Sequence, residues 1–169
     1  MQFIKFLILI IFILFSHNVK ADTKIVFIDI DYLMKNSNIG KTSLKKIENL
    51  NNKNINVLKE NEKELKKEEN LLLQKKDIIS EEEFDKEVKV LRAKIKEFNT
   101  NKDNIVRDFN KFKSQELNNT LEKFNKKIQE FMSQNSIEMV LNKNNLYIGA
   151  VSSDITNDIL IKINKEFKE

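Results

Sequence analysis

Asp29 and Asp31 are the residues of this chain best placed by type and spacing to do chemistry, since two carboxylates one residue apart can share a proton or hold a cation. Neither a third acidic ligand nor a histidine stands near them, and an aspartate that closes a strand commonly caps the helix after it. Capping is therefore the preferred reading, and an enzyme built on this pair is the weakest of three alternatives. The only histidine is His17, inside a segment expected to be removed, and there is no cysteine. That excludes thiol catalysis, disulfide scaffolding and cysteine-ligated zinc. The mature chain would also lack the commonest general base and transition-metal ligand. With no glycine-rich phosphate loop either, the expectation is a non-enzyme with no catalytic residue, no cofactor and no metal.

The elements that would hold any site are long helices. Of 169 residues 33% are charged, with two glycines and no proline, against usual frequencies of about 7% and 5%. The length suits one domain of roughly 100–200 residues.

Residues 1–21 read as a signal peptide. Lys5 precedes ten apolar residues, Phe6 to Phe15, and Val19 and Ala21 stand three and one residues before the expected cut. The run is shorter than the ~20 residues that a membrane-spanning helix needs. Loss of Lys5 and Lys20 lowers the net charge from +4 to +2. Only Arg92 and Arg107 are arginine, so the bidentate forks that read phosphates and guanines are scarce. A nucleic-acid partner is not expected.

Between Gly40 and Gly149 no glycine or proline interrupts the chain. Leu44, Asn51, Leu58, Leu65, Leu72 and Ile79 recur every seventh residue, a narrow heptad stripe. The companion positions Asn61, Glu68 and Lys75 are polar, with Ile47 and Ile55 as partial exceptions. Ser80-Glu81-Glu82-Glu83 matches a capping box, flanked by Ile79 and Phe84 as a hydrophobic staple. A second helix therefore starts at Ser80, with apolar positions Phe84, Val88, Leu91, Ile95, Phe98, Ile105, Phe109 and Phe112. A five-residue step then resets the phase to Leu117, Leu121, Phe124, Ile128 and Phe131. The two helices, 41–76 and 80–135, must fold back on each other as a hairpin with its tip near 77–80. Asn51 at a core-type position makes this arm marginally stable and able to splay.

The two ends make a small β-rich head. Ile25, Val26, Phe27 and Ile28 form a buried-type strand, followed by a helical turn at Tyr32–Met34. Val140 and Leu141, then Tyr147 and Ile148, read as a hairpin of two strands, 138–141 and 146–151, joined by the asparagine-rich 142–145 turn. Thr156 is expected to cap a last helix with Ile155 and Leu160 as its staple. Three short strands cannot bury a core alone, so the head is expected to oligomerise.

Taken together, Ile25-Val26-Phe27-Ile28-Asp29 after a signal peptide, Asn36-Ser37-Asn38-Ile39-Gly40-Lys41 at the start of the long helix, the charged hairpin, and Ile148-Gly149-Ala150 before Asp154-Ile155-Thr156-Asn157-Asp158-Ile159 resemble the Skp/OmpH family of periplasmic chaperones over the whole mature chain. The resemblance implies an α+β fold, a small β head (22–40 and 136–169) bearing a long antiparallel coiled-coil arm (41–135). It further implies a homotrimer with a jellyfish-like central cavity, acting as an ATP-independent holdase for unfolded outer-membrane proteins in the periplasm. The head residues Ile25, Val26, Phe27, Ile28, Val140, Leu141, Tyr147 and Ile148 would carry oligomerisation. Leu71, Leu73, Ile78, Val90, Val106 and Phe112, which do not all fit one narrow seam, are candidate client contacts. The arm is mildly basic, 22 Lys and Arg against 18 Asp and Glu over 41–135, which allows an anionic lipid or membrane surface as a further partner. Family members are strongly basic and this chain is not. A structural coiled-coil adaptor or spacer of the envelope is the alternative, although a spacer has no need of a head split across both ends of the sequence.

Overall fold

The computed structural model describes residues 23–168. The expected signal peptide, residues 1–21 with His17, lies outside the described residues. The chain runs β1 (Ile25–Ile28), α1 (Ile30–Asn36), α2 (Asn38–Lys75), α3 (Glu81–Gln134), β2 (Met139–Asn142), two short 3-10 turns (Lys143–Asn145 and Val151–Ser153) and α4 (Thr156–Glu166). At about 1.5 Å per residue, α2 is about 57 Å long and α3 about 81 Å. Among the described residues no helix is long and apolar enough to cross a membrane.

Each helix boundary has a local cause. Asp29 caps α1, its carboxylate accepting the Tyr32 amide at 2.8 Å. Ser37 then serves two helices at once. Its amide donates to the Leu33 carbonyl at 2.9 Å to end α1, and its hydroxyl accepts the Gly40 amide at 3.1 Å to begin α2. Ser80 caps α3 by accepting the Glu83 amide at 3.3 Å, with Glu81, Glu82 and Glu83 at the positive end of the helix dipole. α3 ends in a Schellman-type turn: Ile137 donates to the Met132 carbonyl at 3.0 Å while Ser136 takes φ 51°.

The sheet has two strands, β1 and β2, paired in parallel with Val26 opposite Val140 and Phe27 opposite Leu141. This corrects the expected 138–151 hairpin. The other edge of β1 is taken by the approach to α4, where Phe27 bridges to Asp154 and the Ile155 amide donates to the Phe27 carbonyl at 3.0 Å. Among the described residues no strand pairs with the outer edge of β2, and 146–151 does not enter the sheet. Asn142 instead turns the chain at once, accepting the Asn144 amide on its own side chain. The helix cap at Thr156 is also corrected. The Asp154 carboxylate accepts the Thr156 amide at 3.0 Å, and the Thr156 hydroxyl is turned to accept the Asp29 amide at 2.9 Å.

The head core joins Val26 and Ile28 of β1, Leu33 of α1, Phe124 and Ile128 of α3, Ile137, Ile155, and Ile159 and Ile163 of α4. The five-residue step after Phe112 thus has a structural use. It turns Leu121, Phe124, Ile128 and Phe131 onto the head, so the last turns of α3 root the arm in that core.

Candidate functional site

The arm is held in register by three ion pairs between α2 and α3: Lys46–Glu116 at 3.6 Å, Glu68–Lys94 at 2.7 Å and Lys75–Glu87 at 2.9 Å. Each is symmetric about residue 81, so the pairing does not slip between root and tip. Along the seam Leu72 is buried, while Asn51, Leu58 and Leu65 of α2 and Phe98, Ile105 and Phe109 of α3 are half-buried, with Leu65 and Phe98 lining one groove. Leu44, Ile55 and Ile95 are exposed, and Asn54 and Asn61 of α2 are half-buried beside the stripe.

Five of the six arm residues singled out from sequence are exposed: Leu71, Leu73, Ile78, Val90 and Val106. Phe112 is half-buried. Leu71 and Val90 are brought together with Leu72 and Leu91 in a groove of ≈ 390 Å³ near the tip, rimmed by Lys75, Lys86, Lys94, Glu68 and Glu87. Ile78 stands in the turn at the tip, 79% exposed. Leu73 lies about 200° around α2 from Leu71, so the two leucines mark opposite flanks. Ile55 and Val57, also exposed, extend the apolar surface down α2. They were not singled out from sequence, although their departure from the heptad stripe was a signal. Charges of both signs rim the groove, so it offers apolar contact within a surface of mixed charge.

At the root, Lys127 is the one lysine of the chain's described buried residues, its side chain 9% exposed, and it pairs with both Glu130 (2.7 Å) and Glu166 of α4. The hydrogen bonds that its ammonium donates to these two carboxylates hold the Lys127 pKa above the usual lysine value, against the opposing effect of burial. The same lysine holds the Glu130 carboxyl below its usual range. Lys123 lies over the Phe167 ring and the Asn164 side chain accepts the Asn38 amide at 2.9 Å, so the end of α4 grips both arm helices where they leave the head. Sequence reasoning missed this clamp, whose only signal is the run of charges late in α3.

On the head, Val26, Phe27 and Ile28 are buried and Val140 and Leu141 half-buried. Ile25, Tyr147, Ile148 and Val151 are not brought into that core, with Ile148 85% exposed. The Asp29 and Asp31 carboxylates face hydrogen-bond donors, Asp29 the Tyr32 amide and Asp31 the Asn144 side chain at 2.9 Å. Among the described residues no group of three or more histidine, aspartate or glutamate side chains is placed to hold a metal.

With this architecture in view, the comparisons define the class. The family described as Outer membrane protein (OmpH-like) matches residues 24–163. The chain belongs to that OmpH-like family. Among solved structures it is similar to an OmpH-like protein from Caulobacter crescentus, described as a candidate outer membrane chaperone, at 15% identity and TM-score 0.79 over 90% of each chain. That likeness is one of fold: long helices on a small sheet. No curated protein matches the chain.

Proposed function

We propose that this chain is an ATP-independent holdase of the periplasm, which binds unfolded outer-membrane β-barrel proteins between helical arms and keeps them from aggregating. The observation that carries the reading is the arm itself: a charged hairpin with Leu71, Leu73, Ile78, Val90 and Val106 exposed on more than one flank. A rod needing only to separate two partners has no use for apolar side chains in water. Scattered, weak apolar contacts suit a protein that must hold many sequences without folding them, and enclosure raises the effective concentration of each contact.

In this reading residues 22–40 and 136–169 form the oligomerisation head and 41–135 the arm, with its tip at 77–80. Three heads associate through Ile25, Tyr147, Ile148 and Val151, the apolar residues that the single chain leaves exposed. Three arms then enclose a cavity. A cleavable leader over residues 1–21 exports the chain, so intact mass of periplasmic material should begin at Asp22. Anionic lipid is a secondary partner, limited by the mature net charge of +2 that follows from loss of Lys5 and Lys20.

The reading is tested by sedimentation of the mature protein with and without a urea-diluted outer-membrane β-barrel, in nucleotide-free buffer. A species of three chains alone, and of three chains with one client, is expected. A chain that stays monomeric and sediments apart from the client would contradict it.

A further inference from the structure

One flank of the arm holds a trough. The groove of Leu71 and Val90 near the tip abuts a second groove, of ≈ 830 Å³, lined by the half-buried Leu65 and Phe98. Glu68 and Lys94 line both grooves, and their 2.7 Å ion pair bars the trough at its middle. On α2 Asn61, Glu64, Glu68, Leu71 and Lys75 succeed one another at steps of three or four residues, as do Lys86, Val90, Lys94, Glu97 and Asn101 on α3. Each set therefore lies on one side of its helix, and the two grooves share a flank. From Asn61 to Lys75 the trough is about 21 Å long, the reach of about six residues of extended chain.

Its two ends differ in charge. Nearer the root, Glu64 and Glu97, one from each helix, make no ion pair among the described residues and outnumber Lys96 once Glu68 and Lys94 are set against each other. Nearer the tip Lys75 pairs with Glu87, which leaves Lys86 as the ammonium whose partner, Glu82, stands outside the groove. The root end also carries side-chain amides. Asn61 and Asn101 make no side-chain hydrogen bond among the described residues, and Asn104 accepts from Arg107 at 3.0 Å with its own NH2 left to donate.

We propose that this trough binds an extended segment of unfolded polypeptide, apolar in its middle, with a lysine or arginine at the root end and an aspartate or glutamate at the tip end. The proposal rests on the holdase reading and narrows it to the kind of stretch that one arm takes. An extended segment brings unpaired N–H and C=O groups, which the asparagine amides can meet. A helix from a second copy brings none along its length. The apolar side chains of the segment meet Leu65 and Phe98 on one side of the bar and Leu71 and Val90 on the other. Its end charges complement Glu64 and Glu97 at the root end and Lys86 at the tip end. These charges are exposed, so each end contributes only a few-fold in affinity.

The probe is a capped, dye-labelled six-residue peptide, lysine first and glutamate last, with leucine and threonine alternating between them. Titrated with the mature protein and read by fluorescence anisotropy, it should bind about fivefold more tightly than the same peptide with glutamate at both ends or lysine at both ends. Glu64→Gln with Glu97→Gln should abolish the preference for the lysine and leave helicity unchanged by circular dichroism, since both side chains are exposed. Leu71→Ser with Val90→Ser should weaken all three peptides alike. Equal affinity for the three peptides, or no effect of the glutamate exchange, would overturn the trough. So would the absence of peptide binding by a protein that still keeps a urea-diluted barrel from aggregating, a result that leaves the holdase reading standing. Binding of the peptides in the expected order by a protein that fails to hold the barrel would support the trough and contradict the holdase reading. Sedimentation of the protein alone as assemblies of more than three chains, dispersed by the glutamate exchange, would assign the trough to a second copy and overturn the proposal.

Discussion

Gly40 packs directly on the backbone of Met34: a Cβ at position 40 would stand 2.2 Å from the Met34 carbonyl oxygen and 2.8 Å from the Ser37 hydroxyl. This contact closes the corner between α1 and α2 and so sets the direction in which the arm leaves the head. Gly40→Ala is expected to destabilise the head by about 1–3 kcal/mol, since the obstruction is main chain and cannot rotate away. Urea denaturation of the mature protein measures it. An unchanged midpoint would mean that the corner is compliant.

Ser136 offers the opposite change. It holds φ 51° at the end of α3, a conformation that glycine adopts freely and L-residues adopt at a cost. Ser136→Gly should stabilise the protein by roughly 0.5–1 kcal/mol, read by the same denaturation.

Assembly should be separable from folding. Val26 and Ile28 belong to the core of the single chain, so substituting them tests the fold. Tyr147 and Ile148 are exposed in the chain, so Tyr147→Ser with Ile148→Ser should leave helicity intact by circular dichroism yet convert the proposed trimer to monomer in sedimentation. A double variant that remained trimeric would move the interface elsewhere.

Acid should loosen the head through Asp154. Burial pushes its carboxyl up, but the Thr156 hydroxyl, Lys143 and the Thr156 amide more than offset this and hold it below the usual carboxylate range. A lowered carboxyl contributes stability at pH above its unfolded value, and that stability is lost as pH falls through the folded one. Lys127 and Lys143, held above the usual lysine value by Glu130 and Asp154 respectively, act in the reverse sense and lose their contribution only in strong base. Asp154→Asn should therefore be less stable than the parent at pH 7, with the difference closing as the pH falls to about 2. A constant difference across that range would show that Asp154 acts by shape alone.

What the sequence revealed and what it hid divide by range of interaction. The Ser80 cap, the Asp29 cap and the helix through Gly40 are set within four residues, and each was legible. The parallel pairing of β1 with β2 joins Ile25 to Met139, a choice among distant segments that no local pattern encodes. Leu146–Val151 has strand-forming residues, yet the chain turns away from β2 at Asn142 through the 3-10 turn Lys143–Asn145, so strand propensity does not bring 146–151 into the sheet. On the arm, exposed apolar residues could be picked out as misfits to the heptad. The placing of Leu71 beside Val90 needed the hairpin register, which the ion pairs about residue 81 supply.

The central claim is that the arm holds unfolded clients, and light scattering tests it most directly. An outer-membrane β-barrel diluted from urea into nucleotide-free buffer should stay clear with one equivalent of the mature trimer. Scattering should return when residues 66–79 and 80–93 are removed together with a capped turn restored, a matched shortening that leaves the head and its clamp in place. Full suppression by the shortened protein, or none by the intact one, would contradict the account.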